Sequence, residues 1–417
     1  MSPFFDELRS GWRDLVGAMI GIGLGIGSYT PVSSFFFRAL EDEFGWSKAA
    51  AAISLVAFPI TAAVLPVAGM LLDRYGVRRV AALSTVCMSG CFVWLSMMNG
   101  QLWMFYVAFL CLNVLGCATG PVSYTRTILT RFRNSRGTAL GFCLLGIGLA
   151  AMVVPPVLAS IFARWGWRGG YQFFAGAVLA AGIVALLLSR GPIEGDRASD
   201  AQSGERLSTA VGKGSFWLLG VAILCVSIAS FGFVSQFQSI VIEKGLTPRL
   251  APMLLSELAA SVFISRLVVG WALDVFSPER VATTSLLLAA LGILLWLLGG
   301  PGAGLALTAV LLVGLSIGAE LDFLSFFCAR LFGLRHYGAV YGGLAAFFYT
   351  GIAGGGIIYG ATHDRTGAYT TALTMSAALF VVSGGLFFLL GPAMRGAARA
   401  ENMARDRESK IEFDLQS

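Results

Sequence analysis

Long apolar runs alternate with short polar interruptions along this chain, and the runs share one characteristic length. About 20 apolar residues cross a bilayer as a helix, because every backbone N–H and C=O must be satisfied within the segment. Twelve stretches meet that requirement: 14–37, 49–72, 80–99, 101–127, 137–163, 169–189, 215–242, 251–274, 280–299, 303–328, 338–361 and 370–391. The pattern predicts an all-α polytopic membrane protein of 12 transmembrane helices. A polar interval rich in Gly, Ser, Asp and Glu divides them six and six and reads as a flexible linker. The predicted organisation is an N-terminal six-helix bundle over 1–189, a linker over 190–213, a C-terminal six-helix bundle over 214–391 and a tail over 392–417.

The two halves align with each other. A displacement of 201 residues places Gly69 on Gly270, Asp73 on Asp274, Arg79 on Arg280, Gly137 on Gly338, Gly141 on Gly342, Arg164 on Arg365 and Gly166 on Gly367. One constant offset across several loops indicates parallel repeats, with a binding site near the midplane between them. Glycines cluster inside the first, fifth and eleventh runs, where they allow close helix crossings. Pro31, Pro59, Pro66, Pro155 and Pro156 are expected to mark kinks.

The segment between the second and third runs concentrates charge and glycine: Gly69-Met70-Leu71-Leu72-Asp73-Arg74-Tyr75-Gly76-Val77-Arg78-Arg79. Such charges belong at a membrane surface. Gly69, Asp73, Arg74, Gly76, Arg78 and Arg79 match the signature loop of the major facilitator superfamily, which the chain resembles. The resemblance implies the major facilitator fold of two six-helix bundles and a loop that acts as a conformational latch. In relatives the aspartate caps the eleventh helix across the bundle interface, which points to the amides near Tyr337 and Gly338. The second copy keeps Asp274 and Arg280 but has Val275 where the first has Arg74.

Further segments are similar to the monocarboxylate transporter branch and its bacterial relatives, which include oxalate:formate antiporters. They are Phe44-Gly45-Trp46-Ser47-Lys48, Arg136-Gly137-Thr138-Ala139-Leu140-Gly141, Gly166-Trp167-Arg168 and His363-Asp364-Arg365-Thr366-Gly367-Ala368-Tyr369. Trp46 and Trp167 also suit a membrane interface, and Ser47 suits a helix cap.

Composition agrees with a membrane protein: 57% hydrophobic and 12% charged residues, against about 25% charged in a soluble domain. The net charge of +6 needs no nucleic acid. With the N-terminus inside, only Arg38, Lys48, Arg164, Arg168, Lys244, Arg249 and Arg365 face out, so the positive-inside rule puts both termini in the cytoplasm. The expected location is the cell inner membrane, with membrane lipid as surroundings. All seven cysteines lie in apolar runs, and neither a disulfide framework nor a metal site is indicated. No cofactor is expected. The first run is too long for a signal-peptide core and counts as a retained span.

Charges inside the runs are the sharpest functional pointers, since each costs at least about 2.5–3.5 kcal/mol to insert. They are Arg266, Glu320 and Asp322, with Glu257 nearer the outer surface. Counted from the outer ends, Arg266 and Glu320 lie at similar depth, which makes Glu320 the expected partner of Arg266 and Asp322 the rival. Arg266 matches an arginine that engages the substrate carboxylate in the resembled family, and a guanidinium suits that role because its planar fork meets two oxygens. The chain departs from the family at Val262, where animal members have an aspartate, and around Leu344, where oxalate transporters have a lysine. Glu320 and Asp322 are the candidates to replace the proton carrier. Tyr29, Ser33, Asn113, Tyr124, Gln236, Tyr341 and Tyr349 are further candidate substrate contacts on the presumed cavity helices.

The expected function is secondary active transport of a small organic monocarboxylate, coupled to protons, by a monomer. The rivals are a drug or metabolite exporter working by proton antiport, and a transporter-like sensor. No catalytic motif suggests an enzyme.

Overall fold

The computed structural model describes residues 3–29, 32–46, 54, 57–189, 204–246, 250–300 and 302–397. Pro31, Ser47, Lys48, most of the expected linker and the tail beyond 397 lie outside the described residues. Among the described residues, ten helices are long and apolar enough to cross a membrane. One of them, Arg136–Leu188, turns at Gly166 (φ 63°) and makes two passes. A broken run of Trp12–Gly23, Ile26–Tyr29 and Ser33–Phe44 supplies one more. The passes are therefore span 1 (12–44), span 2 (Ala57–Tyr75), span 3 (Val77–Ser96), span 4 (Leu102–Arg131), spans 5 and 6 (the two arms of Arg136–Leu188), span 7 (Gly214–Ser235, continued by Phe237–Glu243), span 8 (Leu250–Val275), span 9 (Pro278–Leu298), span 10 (Ala303–Phe332), span 11 (Tyr337–Thr366) and span 12 (Thr370–Leu389).

Spans 1, 4 and 10 are interrupted among the described residues. The helices continue without a break through Pro66, Pro155 and Pro156. Span 1 breaks at Leu24–Gly25, span 4 at the 3-10 turn Cys117–Thr119, and span 10 at Gly318–Ala319. The last two correspond under the 201-residue displacement. A break inside lipid frees backbone donors that need new partners. The Ile26 N–H finds one by donating to Thr119 Oγ1 at 3.0 Å, so the breaks in spans 1 and 4 support each other.

Within the first half, span 1 lies against spans 5 and 6; within the second, span 7 lies against spans 11 and 12. The halves meet where span 2 crosses span 11 and span 5 crosses span 8. Both crossings bring backbone onto backbone. A Cβ at Gly69 would run into the Gly338 carbonyl, and one at Gly137 into the Gly270 carbonyl.

One end of the first half explains two of the motif segments. Phe44 packs on Trp46 and Trp167, with ring centroids 5.4 and 5.8 Å apart. The Trp46 indole donates to the Gly100 carbonyl at 3.1 Å. Glu43 accepts from the Trp167 indole and pairs with Arg168 at 2.8 Å, while Arg168 lies over the Trp167 ring. The second half repeats the device with other residues: Glu243 accepts the Tyr369 N–H at 3.0 Å.

Two short elements outside the spans were not anticipated. A helix at Pro3–Ser10 precedes span 1. The last residues of the expected flexible linker are folded: Gly204 bridges to Gly333, Glu205 N–H donates to the Phe332 carbonyl at 2.8 Å, and the turn Leu207–Val211 buries Ala210. Backbone hydrogen bonding to the span 10–11 turn overrides the polar composition there.

Glu43 stands exposed beyond the apolar stretch of span 1, outside the membrane-crossing part, and the Trp167 hydrogen bond, aided by Arg168, holds its carboxyl below its usual range. Its contribution is complete above the ordinary carboxylate pKa and is lost as pH falls through the lowered value. Replacement Glu43→Gln is therefore expected to lower the thermal midpoint at pH 7, with the gap to wild type closing as the pH is taken to about 3. A gap independent of pH in thermal unfolding would contradict this account.

Candidate substrate site and gate

At one end of the molecule, each half offers an aspartate to a helix start in the other half. Asp73, at the end of span 2, accepts the Gly338 and Ala339 N–H groups at 3.0 and 2.9 Å. Asp274, at the end of span 8, accepts the Gly137 and Thr138 N–H groups at 2.6 and 2.7 Å and the Thr138 hydroxyl at 2.8 Å. These are the second and third residues of spans 11 and 5, whose amides have no partner within their own helix. The helix dipole adds to the attraction. Neither His336 nor Ser135, the residue preceding each helix, makes a side-chain cap of its own.

The remaining signature-loop residues surround this contact. Gly69 admits the Gly338 backbone, and Gly76 turns the chain at φ 85°. Arg74 lies over the Tyr75 ring, while Arg78, Arg79 and Arg280 are exposed. The guanidinium on Asp73 belongs instead to Arg126 of span 4, at 2.8 Å. A hydrogen bond between Thr125 and Tyr337 hydroxyls, 3.1 Å, joins the halves beside it.

Above the gate, span 5 crosses span 8 so closely that a Cβ at Gly141 would strike the Arg266 carbonyl. Arg266 is buried, and its Nη1 lies 3.4 Å from Asp322 Oδ2. Glu320 is buried beside Ser230 of span 7 and within the field of Arg266. The pairing thus differs from the expected Arg266–Glu320 bridge. The reason is the break at Gly318–Ala319: the helix restarts at Glu320, so depth counted along an unbroken helix does not tell which carboxylate faces span 8. The break also explains why two acids are tolerated here, since they occupy the first turn of a new helix. Arg266 Nε, Glu320 Oε2, Asp322 Oδ1 and Ser230 Oγ are buried and have no hydrogen-bond partner among the described residues.

The other candidates divide. Tyr341 lies near Asp322, Ser325 and Tyr349, and Tyr349 in turn lies near Cys117 at the span 4 break. Tyr124 packs against Gly21 and near Cys143. Cys143, which was not among the candidate contacts, lies near Arg266 and Asp322 from the opposite half; the Gly137/Gly141 spacing was the signal that could have indicated it. By contrast, Tyr29 belongs to the aromatic core with Phe36, Phe92, Phe174 and Tyr171, whose hydroxyl is 3.3 Å away. Asn113 donates to its own helix at Phe109, and Gln236 accepts from the Tyr369 hydroxyl in the brace at the far end. Tyr29 and Asn113 are buried with these partners, and Gln236 is half-buried. Ser33 is half-buried at the start of the last segment of span 1.

A twofold repeated helical membrane bundle, with charged groups buried between its halves, defines a class of membrane protein. The Major Facilitator Superfamily model matches residues 15–354, and the chain belongs to that family. It is similar to the uncharacterized MFS-type transporter YcxA of Bacillus subtilis, 24% identical over 91% of this chain and 89% of that one. It is also similar to monocarboxylate transporter 11 of Homo sapiens, 24% identical over 89% of this chain and 79% of that one. Among solved structures, the E. coli fucose:proton symporter FucP superposes with a TM-score of 0.70 at 18% identity, covering 90% of this chain and 97% of that one.

Removing one member of a buried ion pair leaves the other uncompensated, at a cost of about 3–5 kcal/mol. Arg266→Leu is expected to lower the stability of the purified protein by an amount of that order, and Asp322→Leu added to it to recover part of the loss. Losses that simply add in a double-mutant cycle of thermal unfolding would show the pair to be uncoupled.

Proposed function

We propose that this chain is a proton-coupled secondary active transporter of small organic monocarboxylates, working by alternating access. The observation that carries this reading is the buried cluster of one guanidinium and two carboxylates between the halves, with unsatisfied hydrogen-bonding atoms on all three. The planar fork of Arg266 suits a carboxylate ligand. An incoming acid competes with Asp322 for Arg266, and Tyr341, Tyr349, Tyr124 and Cys143 line its approach. A third negative charge beside Glu320 and Asp322 is expensive in a poorly solvated site, so a proton accompanies the anion. Glu320 and Asp322 are the carriers in this reading. The monocarboxylate transporters among the relatives support the substrate class.

Asp73 and Asp274 act as the gate. The positive-inside distribution supports a cytoplasmic position for that end and for both termini, in an inner membrane. The arrangement with both aspartates engaged is then the one closed to the cytoplasm. The functional unit is a single chain, with bundles over 1–189 and 214–391 and the cluster between them.

The experiment is uptake of labelled acids into proteoliposomes under an imposed pH gradient, with aliphatic, aromatic and dicarboxylic competitors. Monocarboxylates are expected to accumulate and dicarboxylates to compete poorly. Loss of a charge-assisted interaction of about 1.5–3 kcal/mol predicts a 10- to 100-fold weaker affinity for Arg266→Ala; undiminished affinity would refute the substrate assignment. Glu320→Gln is expected to retain exchange of acid for acid while losing accumulation driven by the pH gradient, and an unchanged response to that gradient would remove Glu320 from the coupling. Asp73→Asn is expected to slow turnover several-fold at nearly constant half-saturation. Equal effects on both would remove the gate from the scheme.

A further inference from the structure

The turn that precedes span 5 is gripped by a residue outside all the spans. Glu7, on the helix Pro3–Ser10, accepts the Arg133 N–H on Oε1 at 2.6 Å. Its Oε2 accepts the Asn134 N–H, the Ser135 N–H and the Ser135 hydroxyl at 2.9, 3.1 and 2.9 Å. The next amides that leave the helix, those of Gly137 and Thr138, go to Asp274. Two carboxylates therefore divide the donors of one helix start, Glu7 from the same half and Asp274 from the opposite half. They are close enough to repel, and the dense array of N–H groups between them offsets that repulsion.

The second half has a counterpart. Residue 7 corresponds to residue 208 under the repeat displacement, and the 204–211 segment docks on the turn before span 11 through Glu205 N–H and the Phe332 carbonyl. The amides beyond that turn receive Asp73. Each half thus carries a strap under the turn whose following helix meets the opposite aspartate. The strap of the second half grips through backbone, and that of the first through one side chain.

We propose that Glu7 is a positioning residue of the gate: by fixing the 133–135 turn it presents the Gly137 and Thr138 amides to Asp274 and so sets how readily that end of the molecule opens. The proposal rests on the reading of the two aspartates as gate contacts. Loss of the Glu7 carboxylate frees the turn to move with solvent, and the gate then opens more often at the span 5 crossing than at the span 11 crossing.

The test is hydrogen–deuterium exchange of the full chain in lipid nanodiscs, read at Gly137–Thr138 and at Gly338–Ala339. It is paired with electron–electron distance measurements between spin labels at the exposed positions 78 and 280, one in each half. Glu7→Ala is expected to speed exchange at Gly137–Thr138 by about tenfold or more, leave Gly338–Ala339 unchanged, and enlarge the population with widely separated labels. Glu7→Gln, which keeps one acceptor oxygen and the side-chain volume, is expected to show a smaller change of the same kind and serves if Glu7→Ala does not fold. Added to Asp274→Asn, Glu7→Ala is expected to have little further effect; added to Asp73→Asn, its full effect. Unchanged exchange at Gly137–Thr138 in both Glu7 variants overturns the proposal, as does equal acceleration at both helix starts, which is general loosening. If Asp274→Asn itself leaves Gly137–Thr138 exchange and the label distances unaltered, the gate reading fails independently of Glu7.

Discussion

A helix that begins at a membrane boundary carries N–H groups with no partner in its own helix, and they must be met from elsewhere. In this protein two such helix starts are met by carboxylates from the opposite half. The contacts are charge-assisted, worth about 1.5–3 kcal/mol each, and nearly symmetric: Asp73 adds Arg126, and Asp274 adds the Thr138 hydroxyl. For a two-state transporter this strength is useful only if contacts at the other end offset most of it, since two states exchange readily when they differ by a few kcal/mol.

The Asp274 contact and the charged cluster are parts of the same crossing. Gly137 and Gly141 are one turn apart on span 5, about 6 Å, and they meet Gly270 and the Arg266 backbone on span 8. Asp274 lies eight residues beyond Arg266, about 12 Å along the same helix. A rigid tilt of span 8 that releases Asp274 must therefore also shift Arg266 against Cys143. In the proposed scheme no long chain of intermediates is needed between ligand and gate, because Arg266 and Asp274 stand on one helix.

Buried charge is made tolerable by local architecture. Glu320 and Asp322 stand in the first turn of a helix that restarts within span 10, where the dipole favours acids, and Arg266 reaches them from span 8. The corresponding break in span 4 places Cys117 and Thr119 at the same level in the other half. Interrupted helices at matching positions of two repeats are where a membrane bundle can expose backbone and polar groups to a ligand.

Much of this was present in the order of residues. Span number, the division into halves, the constant displacement and the signature loop are local or periodic properties, and lipid enforces them strictly because each helix must satisfy its own backbone. The buried charges were legible for the same reason: apolar surroundings make every exception visible. Tertiary structure decided the partners. Asp322 rather than Glu320 meets Arg266 because a two-residue break resets the helix, and one glycine among many in these runs does not single out Gly318 as its place. Tyr29, Asn113 and Gln236 find hydrogen-bond partners within their own half, because a polar atom on a cavity helix is equally at home bonding to its own or a neighbouring helix. Glu7 and Cys143 gained their meaning from residues more than a hundred positions away, and Arg126 from Asp73 two spans earlier, across contacts that depend on how whole helices cross.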